Sequence, residues 1–145
     1  MSTATLKTKE IMRELTDHIV SGDQAVQLKL TVVDEPGAGG ANHEYRIQGH
    51  NLKKHPAYAN VSDEDIPHWE TICFQNGPIK EAGVNGVTQE VLLTIVIDRL
   101  RSFQGGPFSC RENAIALTHC EEALMWLQRR TVARIKRGVE GTNQK

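Results

Sequence analysis

The chain reads as an α+β protein: a small antiparallel β-meander followed by a long antiparallel helical hairpin, with an N-terminal helix ahead of both. Three observations predict this. Apolar and polar residues alternate between Val26 and Ile47, the period of half-buried strands. Beyond Thr88 the apolar period becomes helical, in two stretches separated only by a tight turn at Gly105-Gly106-Pro107. Between these regimes lies loop punctuation, Gly77-Pro78 and Gly83-Val84-Asn85-Gly86. The organisation is therefore an N-terminal helical extension (1–21), a meander region (22–76) and a helical hairpin region (77–145). All belong to one compact domain, since 145 residues can bury a core without disulfides or metals.

Each element follows from its residues. Leu6, Ile11, Met12, Leu15 and Ile19 recur at roughly helical spacing, which predicts an amphipathic helix over residues 5–20, ended by Ser21-Gly22-Asp23. Val26, Leu28, Leu30 and Val32 alternate as a first strand. Glu35-Pro36-Gly37-Ala38-Gly39-Gly40 is a turn, and Tyr45 and Ile47 continue as a second strand closed by Gly49. Residues 51–67, with Pro56, Pro67 and Asp63-Glu64-Asp65, read as loop; a third strand follows over Glu70–Phe74. Thr88 opens a helix running to about Gln104, with the stripe Leu92, Ile95, Val96, Leu100 and Phe103. Ser109 with Glu112 three residues later has capping-box spacing and starts the last helix, roughly Cys110 to Arg137. Its inner stripe is Leu117, Cys120, Leu124, Leu127 and Thr131, and Gly138 ends it.

Charge is near balance overall but unevenly placed. Residues 1–75 hold seven Lys/Arg against eleven Asp/Glu; residues 76–145 hold ten against seven. Most of the excess lies in Arg129, Arg130, Arg134, Lys136 and Arg137. A local basic cluster on a neutral chain suits a small anionic ligand better than a long nucleic-acid track. Three cysteines without C-x-x-C spacing read as free thiols in a reducing, intracellular compartment. No apolar run is long enough for a bilayer span, and no signal peptide is legible. The six histidines include no helical H-x-x-x-H pair, and neither a nucleophile elbow nor a zincin motif is present, so metal binding and enzymatic activity find little support.

The last helix carries ligand-grade residues at both ends. Arg130 and Arg134, four apart, share a face near its end, with Trp126 one turn earlier. They read either as solvated charges closing a helix or as paired guanidinium forks suited to phosphate. Trp126 reads as core or as a seam between subunits, the seam being favoured. Phe103 and Asn113 flank the tight turn between the helices. Phe103 is either the last core residue of its helix or a stacking plate; Asn113 is either an ordinary first-turn residue or an amide aimed at a base or ribose. The 17 residues from Asn113 to Arg130 span about 25 Å of helix. A small ligand touching both ends must therefore draw them from two copies of the chain, as an antiparallel pairing of hairpins would allow twice by symmetry. Gly83-Val84-Asn85-Gly86 before a helix hints weakly at a phosphate loop but lacks the P-loop length and its Lys-Ser/Thr ending.

Gly77-Pro78-Ile79-Lys80-Glu81, Gly83-Val84-Asn85-Gly86, Arg99-Leu100-Arg101-Ser102-Phe103-Gln104, Glu112-Asn113-Ala114, Arg129-Arg130-Thr131 and Arg137-Gly138-Val139-Glu140-Gly141 follow one another in order. In this combination the chain resembles the phage Thoeris anti-defence sponge family, first type, over roughly residues 68–142, and its hairpin is similar to that of phage anti-CBASS sponges. Residues 1–20 lie outside the resemblance. What it implies is a non-enzymatic sponge without cofactor or metal. Such a sponge binds cyclic ADP-ribose isomers, the signals of bacterial TIR-domain defence proteins, and holds them intact in the cytoplasm of the infected host. Carried over by motif, the ligand-binding residues are Phe103 stacking the adenine, Asn113 on polar edges, and Arg130 and Arg134 on the diphosphate. Assembly as a homo-oligomer, dimer or hexamer, is implied, as are separate pockets for cyclic di- or trinucleotides. Two other readings predict different outcomes: a small enzyme hydrolysing the same signals, and an adaptor binding nucleic acid through the basic helix end.

Overall fold

The computed structural model describes residues 12–23 and 28–145. They fall into two compact units, one ending at Cys73 and one running from Phe74 to Lys145.

The first unit is a four-stranded antiparallel sheet in the order β1 (Arg13–Leu15), β2 (Lys29–Val32), β3 (Glu44–Gln48) and β4 (Glu70–Cys73). The register places Leu30 opposite Ile47 and Val32 opposite Tyr45, so the predicted alternation becomes cross-strand pairs. Thr31, Val32 and Val33 are buried, as are Leu52 and Ile66 from the long connection between β3 and β4. That connection, expected to be loop, contains three single 3-10 turns at Leu52–Lys54, Pro56–Tyr58 and Asp63–Asp65. The link between β2 and β3 is fastened by Asp34: its carbonyl accepts from the Asn42 amide at 2.8 Å and its carboxylate from the His43 backbone N–H at 2.9 Å.

The N-terminal helix expected over residues 5–20 is not what the described part of that span forms. Residues 13–15 are the edge strand β1, followed by turns in which the Ile19 N–H meets the Thr16 carbonyl and the Asp23 N–H the Val20 carbonyl. Residues 5–11 lie outside the described residues. The physical reason is visible in the burial. Met12, Ile19 and Val20 are exposed and Leu15 is only half-buried, so among the described residues the helical spacing coincides with no buried stripe. Pairing with β2 instead satisfies the backbone, with Arg13 opposite Val32 and Leu15 opposite Leu30.

The second unit is the hairpin with its approach and exit. A short helix α1 (Ile79–Ala82), not anticipated from the loop punctuation around it, precedes α2 (Gln89–Gln104) and α3 (Arg111–Lys136). Thr88 caps α2, its hydroxyl accepting from the Val91 N–H at 3.3 Å. The cap of α3 is Cys110 rather than Ser109: its sulfur accepts from the Asn113 N–H at 3.4 Å, and its own N–H donates to the Gln104 side chain at 3.1 Å. Leu117, Cys120, Leu124, Leu127 and Thr131 are half-buried, as the α3 stripe predicts. On α2 the inward residues are Leu92, Leu93, Ile97 and Leu100, whereas Ile95, Val96 and Phe103 of the expected stripe are exposed. An Arg101–Glu121 ion pair at 2.9 Å ties the two helices on the solvent side.

Candidate ligand-binding site

The chain before α2 fixes the entry to the hairpin. Gln75 and Asn85 face one another across the Gly77–Gly83 turn like a zip. The Gln75 amide donates to the carbonyls of Gly77 and Gly83 at 3.1 and 2.8 Å and accepts from the Asn85 N–H at 2.9 Å. The Asn85 amide accepts from the Asn76 N–H at 2.8 Å and donates to the Asn76 carbonyl at 2.7 Å. Gly77 and Gly83 take positive φ here, which is why glycine bounds α1 on both sides. The loop containing Gly83-Val84-Asn85-Gly86 is thus held closed by its own side chains.

At the tip of the hairpin stand the aromatic and the amide. Phe103 is 39% exposed in the last turn of α2. The Arg99 guanidinium, one turn earlier, lies over its ring at 5.5 Å from the centroid. Asn113 sits in the first turn of α3; its backbone N–H is taken by the Cys110 cap, and its side-chain amide makes no hydrogen bond among the described residues. The tip therefore offers an accessible aromatic face and an uncommitted amide that both donates and accepts.

At the far end of α3 the two arginines expected to act as a pair are placed quite differently. Arg130 is exposed, and its guanidinium has no partner among the described residues. Arg134 is 8% exposed and nearly saturated. Its Nε donates to the Glu140 carboxylate at 2.9 Å, one terminal nitrogen to the carbonyls of Val139 and Thr142 at 2.9 and 3.1 Å, and the other to the Gln144 carbonyl. A guanidinium carries five N–H donors, so one is left. The acceptors come from the chain beyond α3, which reverses at Gly138. There φ is +71°, the Gly138 N–H returns to the Ile135 carbonyl at 3.0 Å, and the Val139 N–H returns to the Arg134 carbonyl at 3.1 Å. This is the Schellman closure that a glycine after a helix permits. The reversal lays Lys145 beside the helix end. A cavity of about 320 Å³ results, lined by Arg130, Ala133, Arg134, Arg137 and Lys145. Arg137 and Lys145 are additions to the predicted set. The Lys/Arg-rich last turn followed by Gly138 was their signal, though only the chain reversal brings Lys145 in. Arg137 donates to the Lys145 main-chain oxygen there, so the free guanidinium of Arg130 and the remaining donor of Arg134 are what the cavity offers an anion with several oxygens, such as a diphosphate.

Asn113 and Arg130 lie on one uninterrupted helix, so tip and cavity stand about 25 Å apart within a protomer. Apolar side chains are exposed between them and alongside the cavity. Trp126 is 61% exposed and carries the Arg129 guanidinium at 5.2 Å, with Met125, Val132 and Ile135 also open on α3 and Val91, Ile95 and Val96 on α2.

Over this stretch the chain matches the Acb2/Tad1 hairpin domain, at residues 70–132. The helical half of the protein is therefore similar to the Acb2/Tad1 hairpin domain. The matched span contains Phe103, Asn113 and Arg130; Arg134 and the cavity residues after it lie just beyond. The chain is also 57% identical over 75 residues to a protein of Bacillus phage SBSphiJ7 named Thoeris anti-defense 1. That alignment covers 52% of this chain and 53% of the relative, about half the length of each. The matched span thus holds the tip residues, Arg130 and most of the exposed apolar surface, while the rest of the cavity is built by the residues that follow it.

Among the described residues no three His, Cys, Asp or Glu side chains converge as metal ligands, and no helix is long and apolar enough to cross a membrane. A second cavity, about 270 Å³, lies in the sheet unit among His50, Asn51, Lys53, Ile66, Pro67 and His68. In it His50 lies 3.4 Å from the Glu70 carboxylate, and the Lys53 ammonium lies 3.6 Å from that of Asp63.

Proposed function

We propose that this protein is a non-enzymatic sponge that binds cyclic ADP-ribose isomers between subunits and so withholds the signal from the Thoeris effector. The observation that carries the reading is the 57% identity to Thoeris anti-defense 1, together with the hairpin match that includes Phe103, Asn113 and Arg130. The chemistry agrees with it. Phe103 stacks the adenine, and Asn113 takes the polar edge of base or ribose. Arg130, with the cavity cations around it, takes the diphosphate. Sequestration needs affinity and stoichiometry without turnover, so no nucleophile, metal or cofactor is called for.

Because the tip and the cavity stand a helix length apart, one ligand meets both only across a subunit contact. The exposed Trp126, Met125, Val132 and Ile135 supply the apolar surface for that contact. A dimer satisfies the geometry, and pairing of dimers into a hexamer extends it. Separate pockets for cyclic di- or trinucleotides belong to the same proposal, as does action in the cytoplasm of the infected bacterium. The test is to incubate purified protein with a cyclic ADP-ribose isomer, denature by heat, and chromatograph the released small molecule. A sponge depletes free ligand and returns it unchanged. A linearised product identifies a hydrolase instead, and ligand that stays free throughout refutes binding.

A further inference from the structure

Arg134 is the most heavily committed side chain in the hairpin unit, and its commitments come from one short segment. Glu140, Val139, Thr142 and Gln144 all accept from it, while the segment itself is anchored elsewhere. Val139 is buried, the Thr142 N–H closes on the Val139 carbonyl at 3.1 Å, and the Gly141 carbonyl accepts from the Lys80 N–H of α1 at 3.3 Å. A Cβ on Gly141 would stand 3.3 Å from the Lys80 side chain, so the segment lies close against α1. It does not depend on Arg134 alone for its place. Yet it fixes the guanidinium plane from three sides at the wall of the cavity that Arg130, Arg137 and Lys145 also line.

We propose that the Val139–Gln144 turn is a clasp that pre-orients the Arg134 guanidinium at the anion cavity, and that Glu140 is its positioning residue, setting the direction of Nε. The proposal rests on the ligand reading above for its consequence in affinity, though the clasp itself is a property of the free protein. A free arginine loses rotamer freedom when it binds a phosphate; one already held loses little. Glu140 also faces Arg134 with a carboxylate, so two effects oppose each other: orientation, which helps an anionic ligand, and competition, which hinders it. The four-acceptor arrangement favours orientation. Only one N–H is left for the ligand, and a single fixed donor beside the free fork of Arg130 is useful only if it is aimed.

The test compares Glu140→Ala and Glu140→Gln with the parent protein by isothermal titration with cyclic ADP-ribose, alongside 15N NMR of arginine Nε–H exchange. Glutamine keeps an oxygen able to accept from Nε; alanine does not. The clasp predicts slow Arg134 Nε–H exchange in the parent and in Glu140→Gln, and fast exchange in Glu140→Ala. It predicts ligand affinity about two- to tenfold weaker in Glu140→Ala, the fold-change for freezing one rotamer-rich side chain, and close to the parent in Glu140→Gln. Affinity unchanged or tighter in Glu140→Ala overturns it, as does a Glu140→Gln protein as weak as Glu140→Ala. If the parent binds no cyclic ADP-ribose, the sponge reading fails while the exchange rates still decide the clasp. If Glu140→Ala does not fold, rapid Nε–H exchange in the parent is sufficient to reject it.

Discussion

Replacing Arg134 and Arg130 separately by alanine distinguishes two arginines that look equivalent in the sequence. Arg134→Ala removes four charge-assisted hydrogen bonds at once. Bonds of that kind contribute up to about 3 kcal/mol each when their partners are trapped. Here they are not. The Glu140 side chain is 39% exposed, Gln144 is exposed, and the Val139 carbonyl keeps the Thr142 N–H at 3.1 Å. Water therefore recovers much of the loss, and about 0.5–1 kcal/mol per bond is the appropriate discount. The total is about 2–4 kcal/mol, which at about 3 °C per kcal/mol lowers Tm by roughly 6–12 °C. Arg130→Ala removes an exposed side chain with no partner among the described residues and should shift stability by no more than about 0.5 kcal/mol. Thermal unfolding followed by circular dichroism at the helix band reads both. Equal melting temperatures for the two variants would refute the assignment of Arg134 to the C-terminal turn.

Other variants separate binding from folding. Phe103→Ala should weaken cyclic ADP-ribose binding by about 1–3 kcal/mol, the worth of one base stack, with little change in Tm; titration and melting curves check the two halves. Asn85→Ala removes a backbone-spanning amide with two hydrogen bonds of its own, to Asn76 N–H and carbonyl, and should destabilise the entry loop by about 1–2 kcal/mol in urea unfolding. Trp126→Glu places a charge in the exposed apolar surface and should shift the protein toward monomer in light scattering while leaving its helix content unchanged.

Much of this architecture was legible in the sequence, and the exceptions have physical causes. Alternation between Val26 and Ile47 specifies β2 and β3 because their cross-strand partners share one face. The α3 stripe from Leu117 to Thr131 is half-buried as its period requires. β1 was hidden because five apolar residues happened to fall at helical spacing, whereas the choice of strand depends on pairing with β2, a contact no local window contains. α1 is a single turn between two glycines, too short to show a period. The cap of α3 fell one residue later than the Ser109–Glu112 spacing suggested, on a sulfur. Within the candidate site, the position of Phe103 and Asn113 at the hairpin tip was legible from the tight turn they flank. The division of labour between Arg130 and Arg134 was not. Equal positions on a helix face say nothing about a segment that folds back after Gly138 and occupies one of them. Lys145 joins the cavity by that same reversal.

In the proposed site one protomer supplies the tip and another the cations. Equimolar Phe103→Ala and Arg130→Ala proteins, each deficient alone, should be mixed, unfolded, refolded together and titrated with cyclic ADP-ribose. A shared site recovers parent-like affinity at about a quarter of the parent stoichiometry, because chance makes about half of the dimers mixed and each mixed dimer holds one intact pocket of its two. Binding no better than either variant alone would contradict it, placing both groups within a single chain or removing one of them from the site.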